Sequence, residues 1–270
     1  MSTGAKLLSL KKHLQLILSY FRFNLAAAME YRGSFLLQVF GMALNNAAFL
    51  IFWAILFNRV DRIGGYDFHD ILFIWALASA AFGFVHIFFG NIGQLSRLIL
   101  QGELDVYLLQ PKDVYLHVLC SKTTVSAWGD LAYGVILYLL AYGFDPGRFA
   151  LFSLFTVFGG LLMGSIIFSA ETLTFFVGNA SSVGRLVFEF LITFTLYPEG
   201  IYRGAIRWVI YSLIPAGFIV FFPLKIMKSF SWNWLGFLLI IDILYLIGGY
   251  FLFKAGLKRY ESGNMIITKL

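Results

Sequence analysis

The sequence predicts an all-α polytopic membrane protein, and its composition together with the spacing of its apolar residues leads to that fold class. Of the 270 residues, 60% are hydrophobic and 13% are charged, whereas a soluble domain is about 45–50% apolar and about 25% charged. The apolar residues form continuous runs of about twenty, the length that a helix needs to cross a bilayer. The alternating ten-residue strands of a membrane β-barrel do not occur in the sequence.

We expect one transmembrane domain over residues 1–270 with six crossing helices. The expected spans are 34–57, 70–91, 118–142, 149–177, 186–210 and 233–254. Six crossings place both termini on one side, and the larger number of Lys and Arg there predicts that this side is the cytoplasm. The four cations between residues 203 and 228 run against that rule. The net charge of +6 is therefore interpreted as a topology signal, and no nucleic-acid partner is expected.

Residues 5–30 precede the first span and have the pattern of an amphipathic helix. Lys11, Lys12 and Arg22 lie on its polar face. The pattern predicts a helix in the inner membrane interface, with its cations near lipid headgroups; a plain structural collar is the alternative. The expected apolar face consists of Leu7, Leu10, Leu14, Ile17, Phe21, Leu25 and Ala28.

The loop between the second and third spans, residues 94–119, carries the strongest local signal. Its amphipathic character rests on Leu95, Leu98, Ile99 and Leu109. A short helix over 94–110, at an angle to the spans, suits docking into a groove of another protein. An ordinary polar connector is the alternative, but such a connector would not need so many leucines.

Prolines break up the apolar region 186–227, at Pro198, Pro215 and Pro223. Because proline cannot donate a backbone hydrogen bond, each one interrupts a helix. Broken backbone survives in lipid only where protein or a wet cavity covers it. We therefore expect Pro198 to end the fifth span, and residues 198–224 to form a re-entrant helical pair on the outer side.

Two details of this region can also be predicted. Glu199 is expected to pair with Arg203 one turn away. Pro215 and Pro223 are expected to bracket a helix of about eight residues, or roughly 12 Å. That length is under half of the ~30 Å hydrocarbon core, so the helix would enter the membrane without crossing it.

Four carboxylates fall within the expected spans, namely Asp130, Glu171, Glu189 and Asp242. Each costs about 2.5–3.5 kcal/mol near the bilayer centre, so each should face protein or water. Glu171 and Glu189 lie towards the inner ends of their spans, where with Arg185 they either hold the helices together or line a path. Asp130 and Asp242 lie deeper and are candidates for a proton relay.

The sequence lacks the motifs of catalysis, nucleotide binding and metal binding. It contains no G-x-x-x-x-G-K-[ST] phosphate-binding loop, no H-E-x-x-H, no C-x-x-C and no G-x-S-x-G. The single cysteine, Cys120, is expected to be a small buried hydrophobe. We therefore expect a transport subunit that is not an enzyme, with no catalytic, cofactor-binding or metal-binding residues of its own.

Three segments carry a resemblance to a known family: GELDVYLLQP (102–111), YPEGIYRGAIRWVIYSLIPAGFIVFFP (197–223) and GLKRYESGN (256–264). Together with the helical pattern, they resemble the permease subunits of type-2 ABC exporters. The resemblance is to the branch of export permeases that pair with a second permease and a separate ATPase. It covers essentially the whole chain and implies an interfacial helix, six spans, a coupling helix and a re-entrant pair.

The resemblance also implies two functional regions. The element around residues 102–110 would be the coupling helix that docks on the ATPase, and ATP and Mg would bind in that partner. The broken region would cap and gate the exit. The implied ATPase-coupling residues are Leu98, Gly102, Glu103, Leu104, Asp105 and Tyr107. The implied exit-gate residues are Tyr197, Pro198, Glu199, Gly200, Arg203, Pro215 and Pro223.

The sequence thus favours a permease subunit of an ATP-driven ABC exporter in the inner (plasma) membrane of a prokaryote. It would move an amphiphilic small molecule, a lipid-like compound or a peptide out of the cytoplasm. Its expected partners are a cytoplasmic ABC ATPase dimer, a second permease of the same or a related sequence, and membrane lipids. The alternative is a proton-coupled secondary transporter that uses Asp130 and Asp242, although the inverted repeats expected there are not visible. A non-transporting membrane anchor, the third alternative, would not need the broken region 197–223.

Overall fold

The structure is a computed structural model that describes residues 3–261, with side chains described from residue 11 onward. Every regular element in these residues is helical, apart from one antiparallel bridge between Ile63 and Tyr66. The α-helices are α1 Thr3–Ala28, α2 Arg32–Phe57, α3 Phe68–Phe88, α4 Leu95–Leu100, α5 Leu104–Leu108, α6 Val114–Cys120, α7 Ala127–Tyr142, α8 Pro146–Thr172, α9 Thr174–Val177, α10 Ser181–Leu196, α11 Ala205–Val209, α12 Phe222–Lys228 and α13 Trp232–Leu257. A 3₁₀ turn covers Glu199–Ile201, and a π-helical turn covers Gly217–Phe221.

Within residues 3–261, four helical segments are long and apolar enough to cross a bilayer: α2, α3, α8 with its continuation into α9, and α13. Helices α7 and α10 have 16 residues each, which is about 24 Å, against a hydrocarbon core of about 30 Å. The all-α membrane fold is therefore confirmed, and the count of six crossings stays a prediction.

Helix α3 forms the centre of the bundle, because it is buried on nearly all sides and packs mainly against α7 and α8. Glycines bring these helices together. A Cβ built on Gly134 of α7 would lie 2.6 Å from the backbone nitrogen of Ala80. A Cβ on Gly160 of α8 would lie 2.7 Å from the carbonyl oxygen of Ala81. Such close backbone approach supplies the van der Waals contact that holds helices together in lipid.

The N-terminal helix α1 lies close to its predicted bounds, and part of its predicted apolar face, with Ile17, Phe21 and Leu25, packs on the protein. Asn24 is buried and donates from Nδ2 to the carbonyl of Cys120 at 3.0 Å. Phe21 stacks on Phe88 with ring centroids 4.9 Å apart. Leu14, predicted on the apolar face, is 58% exposed and lies away from the bundle. The side chains of Leu7 and Leu10 lie outside the described residues.

The predicted third span, 118–142, is broken in the structure. Helix α6 ends at Cys120 and α7 begins at Ala127, so the segment between them is not helical. This segment satisfies the last carbonyls of α3 instead: the Thr123 hydroxyl donates to Ile87 O at 2.9 Å, and Thr124 N donates to His86 O at 3.0 Å. The free carbonyls at a helix end need such partners, and their satisfaction explains why the chain leaves the helical path here.

The proline-containing region after α10 forms a 3₁₀ turn, a short α-helix and a π-helical turn. Helix α10 ends at Leu196, as expected from Pro198, so the predicted span 186–210 extends too far. Tyr197 is extended, and the chain then forms the 3₁₀ turn and α11. The segment 214–221 is buried within the protein, which agrees with the rule that irregular backbone at membrane depth needs a protein cover.

The prediction that Pro223 closes the second short helix is wrong. The π-helical turn leads directly into α12, so Pro223 lies in the first turn of a helix that ends at Lys228. The ring of Pro223 has the fixed φ that a helix uses, and the wider π-helical turn comes directly before it. Pro215 does precede the helical stretch, as expected.

Candidate functional site

The 94–113 loop, which joins α3 to α6, folds as two short helices rather than the one predicted over 94–110. Helices α4 and α5 are separated by Gln101–Glu103. Gly102 adopts φ +70° there, a left-handed conformation that favours glycine. The loop therefore turns at Gly102, and α4 and α5 present different faces to the protein.

The six predicted coupling residues separate into inward and outward groups. Leu98 and Leu104 are 1% and 0% exposed, so both belong to the core and offer no surface to another protein. Tyr107 turns back to the bundle, where its hydroxyl donates to the Ser121 hydroxyl at 3.1 Å. Glu103 is on the surface and forms an ion pair with Arg97 at 3.0 Å. 

Three exposed apolar residues of this loop are absent from the predicted coupling set. Val106 is 61% exposed, Leu108 is 40% exposed and Leu109 is 86% exposed. All three belong to the leucine-rich stretch that makes the loop amphipathic, but the sequence alone does not tell which leucines face inward. Helical periodicity counted from Leu98 would distinguish inward-facing from outward-facing residues only if the turn at Gly102 were known.

A buried hydrogen-bond cluster ties the start of α4 to the end of α8. Glu171 is 5% exposed, and its Oε2 accepts from the backbone N–H of Ser96 at 2.9 Å. The Ser96 hydroxyl lies 2.7 Å from that of Thr174 and donates to Glu171 O at 3.3 Å. The carboxylate packs against Gly184 of α10, where any Cβ would collide with it. Glu171 thus joins α4, α8 and α10.

The predicted network of Glu171, Glu189 and Arg185 is wrong. Glu189 and Arg185 are exposed on α10, and no ion pair is formed by either of them within residues 11–261. Glu171 instead bonds to backbone and hydroxyl groups of α4 and its neighbours. Gly184 packs so closely against the Glu171 carboxylate that no side chain at position 184 would fit between α10 and this carboxylate.

The end of α13 also contacts the 94–113 region. Lys254 donates to Asp113 at 3.2 Å, and Asp113 caps α6 by accepting from Leu116 N. Past the helix, Tyr260 lies beside Asp105; burial together with that carboxylate raises the pKa of Tyr260 to about 12. The chain after Leu257 is thus tied to the 94–113 loop, and residues 262–264 of the motif 256–264 lie outside the described residues.

At the opposite end of α3, loop 58–67 and residues 197–211 meet in what we call the cap. Glu199 accepts from the Tyr66 hydroxyl at 3.1 Å and from Arg207 at 3.0 Å. The predicted pair of Glu199 with Arg203 is wrong, because the chain turns at Gly204 with φ +58° and brings Arg207 to the carboxylate. Arg203 is exposed.

Close backbone contact holds the two parts of the cap together. A Cβ at Gly200 would collide with the backbone of Gly64, whose own φ is +59°. Tyr197 makes an edge contact with Trp53 of α2 at 5.8 Å between ring centroids. Pro198 is buried beneath them. The predicted gate residues 197–200 therefore lie together in one packed unit.

The cap borders a polar cavity of about 770 Å³. Glu199, Arg207 and Tyr66 line one side of it, and Lys225 and Lys228 of α12 line another. Lys228 reaches back to Asp70 at the start of α3, at 2.6 Å. Pro215 and Pro223 are buried and do not line this cavity.

Asp130 and Asp242 are both buried but are not brought together. Asp130 lies on α7 and accepts from Asn46 of α2 at 2.6 Å. Asp242 is 1% exposed on α13, which packs mainly against α8. Between residues 11 and 261 no hydrogen-bond chain links the two carboxylates. No group of three His, Cys, Asp or Glu with metal-binding geometry occurs in this part of the chain either.

The fold and these clusters define an α-helical integral membrane protein with a packed loop at one end and a cap at the other. The family described as "ABC-2 family transporter protein" matches residues 43–263, and the chain belongs to that family. Members are transmembrane permease subunits of ABC transporters, and association with an ATPase component follows from the family. Comparison with curated proteins and with solved structures gave no match.

Proposed function

We propose that the chain is the permease subunit of an ATP-driven exporter that moves an amphiphilic compound out of the cytoplasm. A separate ATPase dimer supplies ATP hydrolysis, since the sequence has no phosphate-binding loop. The observation that carries this proposal is the 94–113 loop, which is anchored inside the protein but presents apolar side chains on its outer surface.

The anchoring supports a mechanical role for this loop. Glu171 holds α4 to α8 and α10, and Tyr107 holds α5 to the segment after α6. A push on α5 by a partner therefore reaches the long helices through buried contacts. ATP-driven closure of the ATPase pair biases the permease between two states only if it contacts them differently, and this loop is the surface that we assign to that contact.

The exposed face of α10 supports a second permease subunit. Arg185 and Glu189 are exposed on an otherwise apolar helix. A charge facing lipid is expensive, so these two residues should face protein or a water-filled path in the assembled transporter. Helix α2 is also largely exposed, with only 6% of its most apolar window buried inside the chain.

The cap supports the assignment of the exit. It closes the end of α3 opposite the 94–113 loop, and Glu199 joins its two parts. With the termini and the 94–113 loop in the cytoplasm, the cap would lie on the outer face, where it would open to release the compound.

The test is association with the ABC ATPase that co-purifies with the wild-type chain. We expect Leu109→Asp to prevent co-purification of that ATPase, because it places a charge on the exposed apolar surface of the loop. Gln110→Asp, at the adjacent exposed position, is the matched control and should retain the ATPase. A Leu109→Asp variant that binds the ATPase and exports normally would overturn the assignment of this surface.

The export direction is tested separately. Inside-out vesicles that contain the whole complex should accumulate an exported amphiphile only when ATP is supplied. Accumulation driven by a proton gradient without the ATPase would instead favour the secondary-transporter alternative that uses Asp130 and Asp242.

A further inference from the structure

A small cavity lies between α2, α3, α7 and α10, level with the middle of α3. Its volume is about 190 Å³, less than the 300–1,000 Å³ typical of a site for a whole drug-sized ligand. It therefore fits one headgroup rather than an entire molecule. It is separate from the cap and from the 94–113 loop.

Asp130 supplies a carboxylate to this cavity, and one of its two oxygens has no hydrogen-bond partner among the described residues. The residue is 5% exposed, and Asn46 donates to its Oδ1 at 2.6 Å. Its Oδ2 has no hydrogen-bond partner in the described part of the chain. The Tyr133 hydroxyl donates to Asn46 O at 3.1 Å and fixes the position of α2 against α7. A buried polar oxygen without a partner is unfavourable, so this oxygen is suited to accept from a ligand.

Aromatic side chains form the remainder of the polar end of the cavity. Trp75, Phe82 and Phe188 line it, and Trp75 is held by stacking on Phe49 at 5.5 Å between ring centroids. The Ser79 hydroxyl also lines it. Aromatic faces attract cations through their quadrupoles, and a carboxylate beside such faces is the combination that recognises ammonium groups.

The geometry points to a binding site for the protonated amine of an amphiphilic substrate, with Asp130 as the hydrogen-bond acceptor and Trp75, Phe82 and Phe188 as the aromatic wall. This inference rests on the proposed function and narrows its substrate class. The ammonium group donates to Asp130 Oδ2, and the first carbons next to it contact Met42, Ile192 and Leu196, with the rest of the apolar chain outside the cavity. An anionic amphiphile would meet the carboxylate and be repelled.

The test compares three probes of equal chain length on the purified full-length protein in detergent: decylamine, decanol and decanoate. We expect decylamine to bind saturably and at least tenfold more tightly than decanol, and decanoate to bind more weakly than either. Asp130→Asn should reduce the preference for the amine to within twofold of decanol. Asp242→Asn, a buried carboxylate of α13 outside the cavity, is the matched control and should keep the tenfold preference.

A second variant tests the cavity without altering its charge. Ile192→Trp fills it from α10, and we expect this change to abolish saturable decylamine binding. Ile243→Trp, on an exposed position of α13, is the matched control and should bind as the wild type does. Size-exclusion profiles and melting temperatures establish that each variant folds.

The wild type alone decides the central claim. Equal affinity for decylamine and decanoate would overturn the inference whether or not any variant folds. That result would leave the proposed permease function intact, because the ATPase association is measured at the 94–113 loop and requires no amine. If instead the chain keeps its preference for the amine but does not associate with an ATPase, the proposed permease function fails and the amine site stands.

Discussion

The carboxylate of Glu171 accepts a hydrogen bond from the backbone N–H of Ser96 at 2.9 Å, and this contact fixes the start of α4 to the end of α8. Both residues are buried, at 5% and 1% exposure. Because Gly184 of α10 packs against the same carboxylate, one side chain connects the surface loop with two long helices. Of the two roles that the sequence left open for Glu171, the contacts of this carboxylate favour the connection of helices.

Glu171→Ala is expected to destabilise the protein. It leaves the buried Ser96 N–H without an acceptor, which costs about 1–3 kcal/mol. The free energy of unfolding, measured by denaturant titration in detergent, checks this. Glu189→Ala is the matched control, because Glu189 is an exposed acid of α10 and its loss should leave the isolated chain equally stable. Equal stability of the wild type and Glu171→Ala would contradict the connecting role.

The close approach of Gly200 and Gly64 predicts how the cap responds to added side chains. Gly200→Ala places a Cβ against the Gly64 backbone and should separate loop 58–67 from residues 197–201. Gly204→Ala meets no neighbouring atom, and its cost is confined to the strained backbone at φ +58° and ψ −130°, about 1–3 kcal/mol.

We therefore expect Gly200→Ala to lower the melting temperature and to speed proteolytic cleavage at Arg62 and at Arg203 together, because the backbone of the cap becomes looser. Gly204→Ala should lower the melting temperature less and leave the cap closed. Identical proteolysis of both variants would show that the glycine contact does not hold the cap.

Tyr66 makes the cap sensitive to alkaline pH. Burial, together with the Glu199 carboxylate, raises the pKa of Tyr66 above its usual 10.0. The folded chain then keeps the hydroxyl proton at a pH where the unfolded chain has lost it. The stability from this group is complete below pH 10.0 and falls as the pH rises towards the folded pKa.

The melting temperature should consequently fall more steeply above pH 10.0 in the wild type than in Tyr66→Phe. Tyr31→Phe is the control, since Tyr31 is 72% exposed, and it should keep the steep slope of the wild type. Parallel curves for the wild type and Tyr66→Phe would refute the contribution of this hydroxyl.

The sequence predicted the class of fold and the break at Pro198 better than the other breaks and the contacts between elements. Continuous apolar runs require helices in lipid, and Pro198 has no backbone N–H, so both conclusions follow from local chemistry. The pairing of Glu199 with Arg207 depends on the turn at Gly204, and the burial of Leu98 depends on the turn at Gly102. Both turns use glycines with a positive φ, a backbone conformation that residue spacing along one helix does not record. The cavity beside Asp130 likewise joins side chains from four helices that are far apart in sequence.

Membrane topology can be tested by cysteine labelling in a Cys120→Ser background. We expect Arg62→Cys to react only from outside the cell and Val106→Cys only from the cytoplasm. Both positions are exposed in the structure, so burial does not mask the result. Cys120 itself is buried, and its replacement removes background labelling. Labelling of position 62 from the cytoplasm alone would invert the assignment of the cap and of the 94–113 loop.

Charge reversal at Glu103 separates a role within the loop from a role in partner binding. Glu103 pairs with Arg97, but both side chains are substantially exposed, at 46% and 37%. An exposed ion pair contributes about 0–1 kcal/mol. Glu103→Lys should therefore leave the melting temperature of the permease nearly unchanged. We expect it to reduce coupling between ATP hydrolysis and transport in the complex, because Glu103 lies on the same surface as Val106.

The double variant Arg97→Glu, Glu103→Lys restores an ion pair within the loop with its direction reversed. If Glu103 acts through Arg97 alone, the double variant should recover normal coupling. If Glu103 contacts the ATPase, the reversed charge remains on the outer surface and the defect should persist. The ratio of ATP hydrolysed to compound transported, measured in proteoliposomes for the wild type and both variants, distinguishes these results. We expect the defect to persist, and full recovery would limit Glu103 to holding the loop in shape.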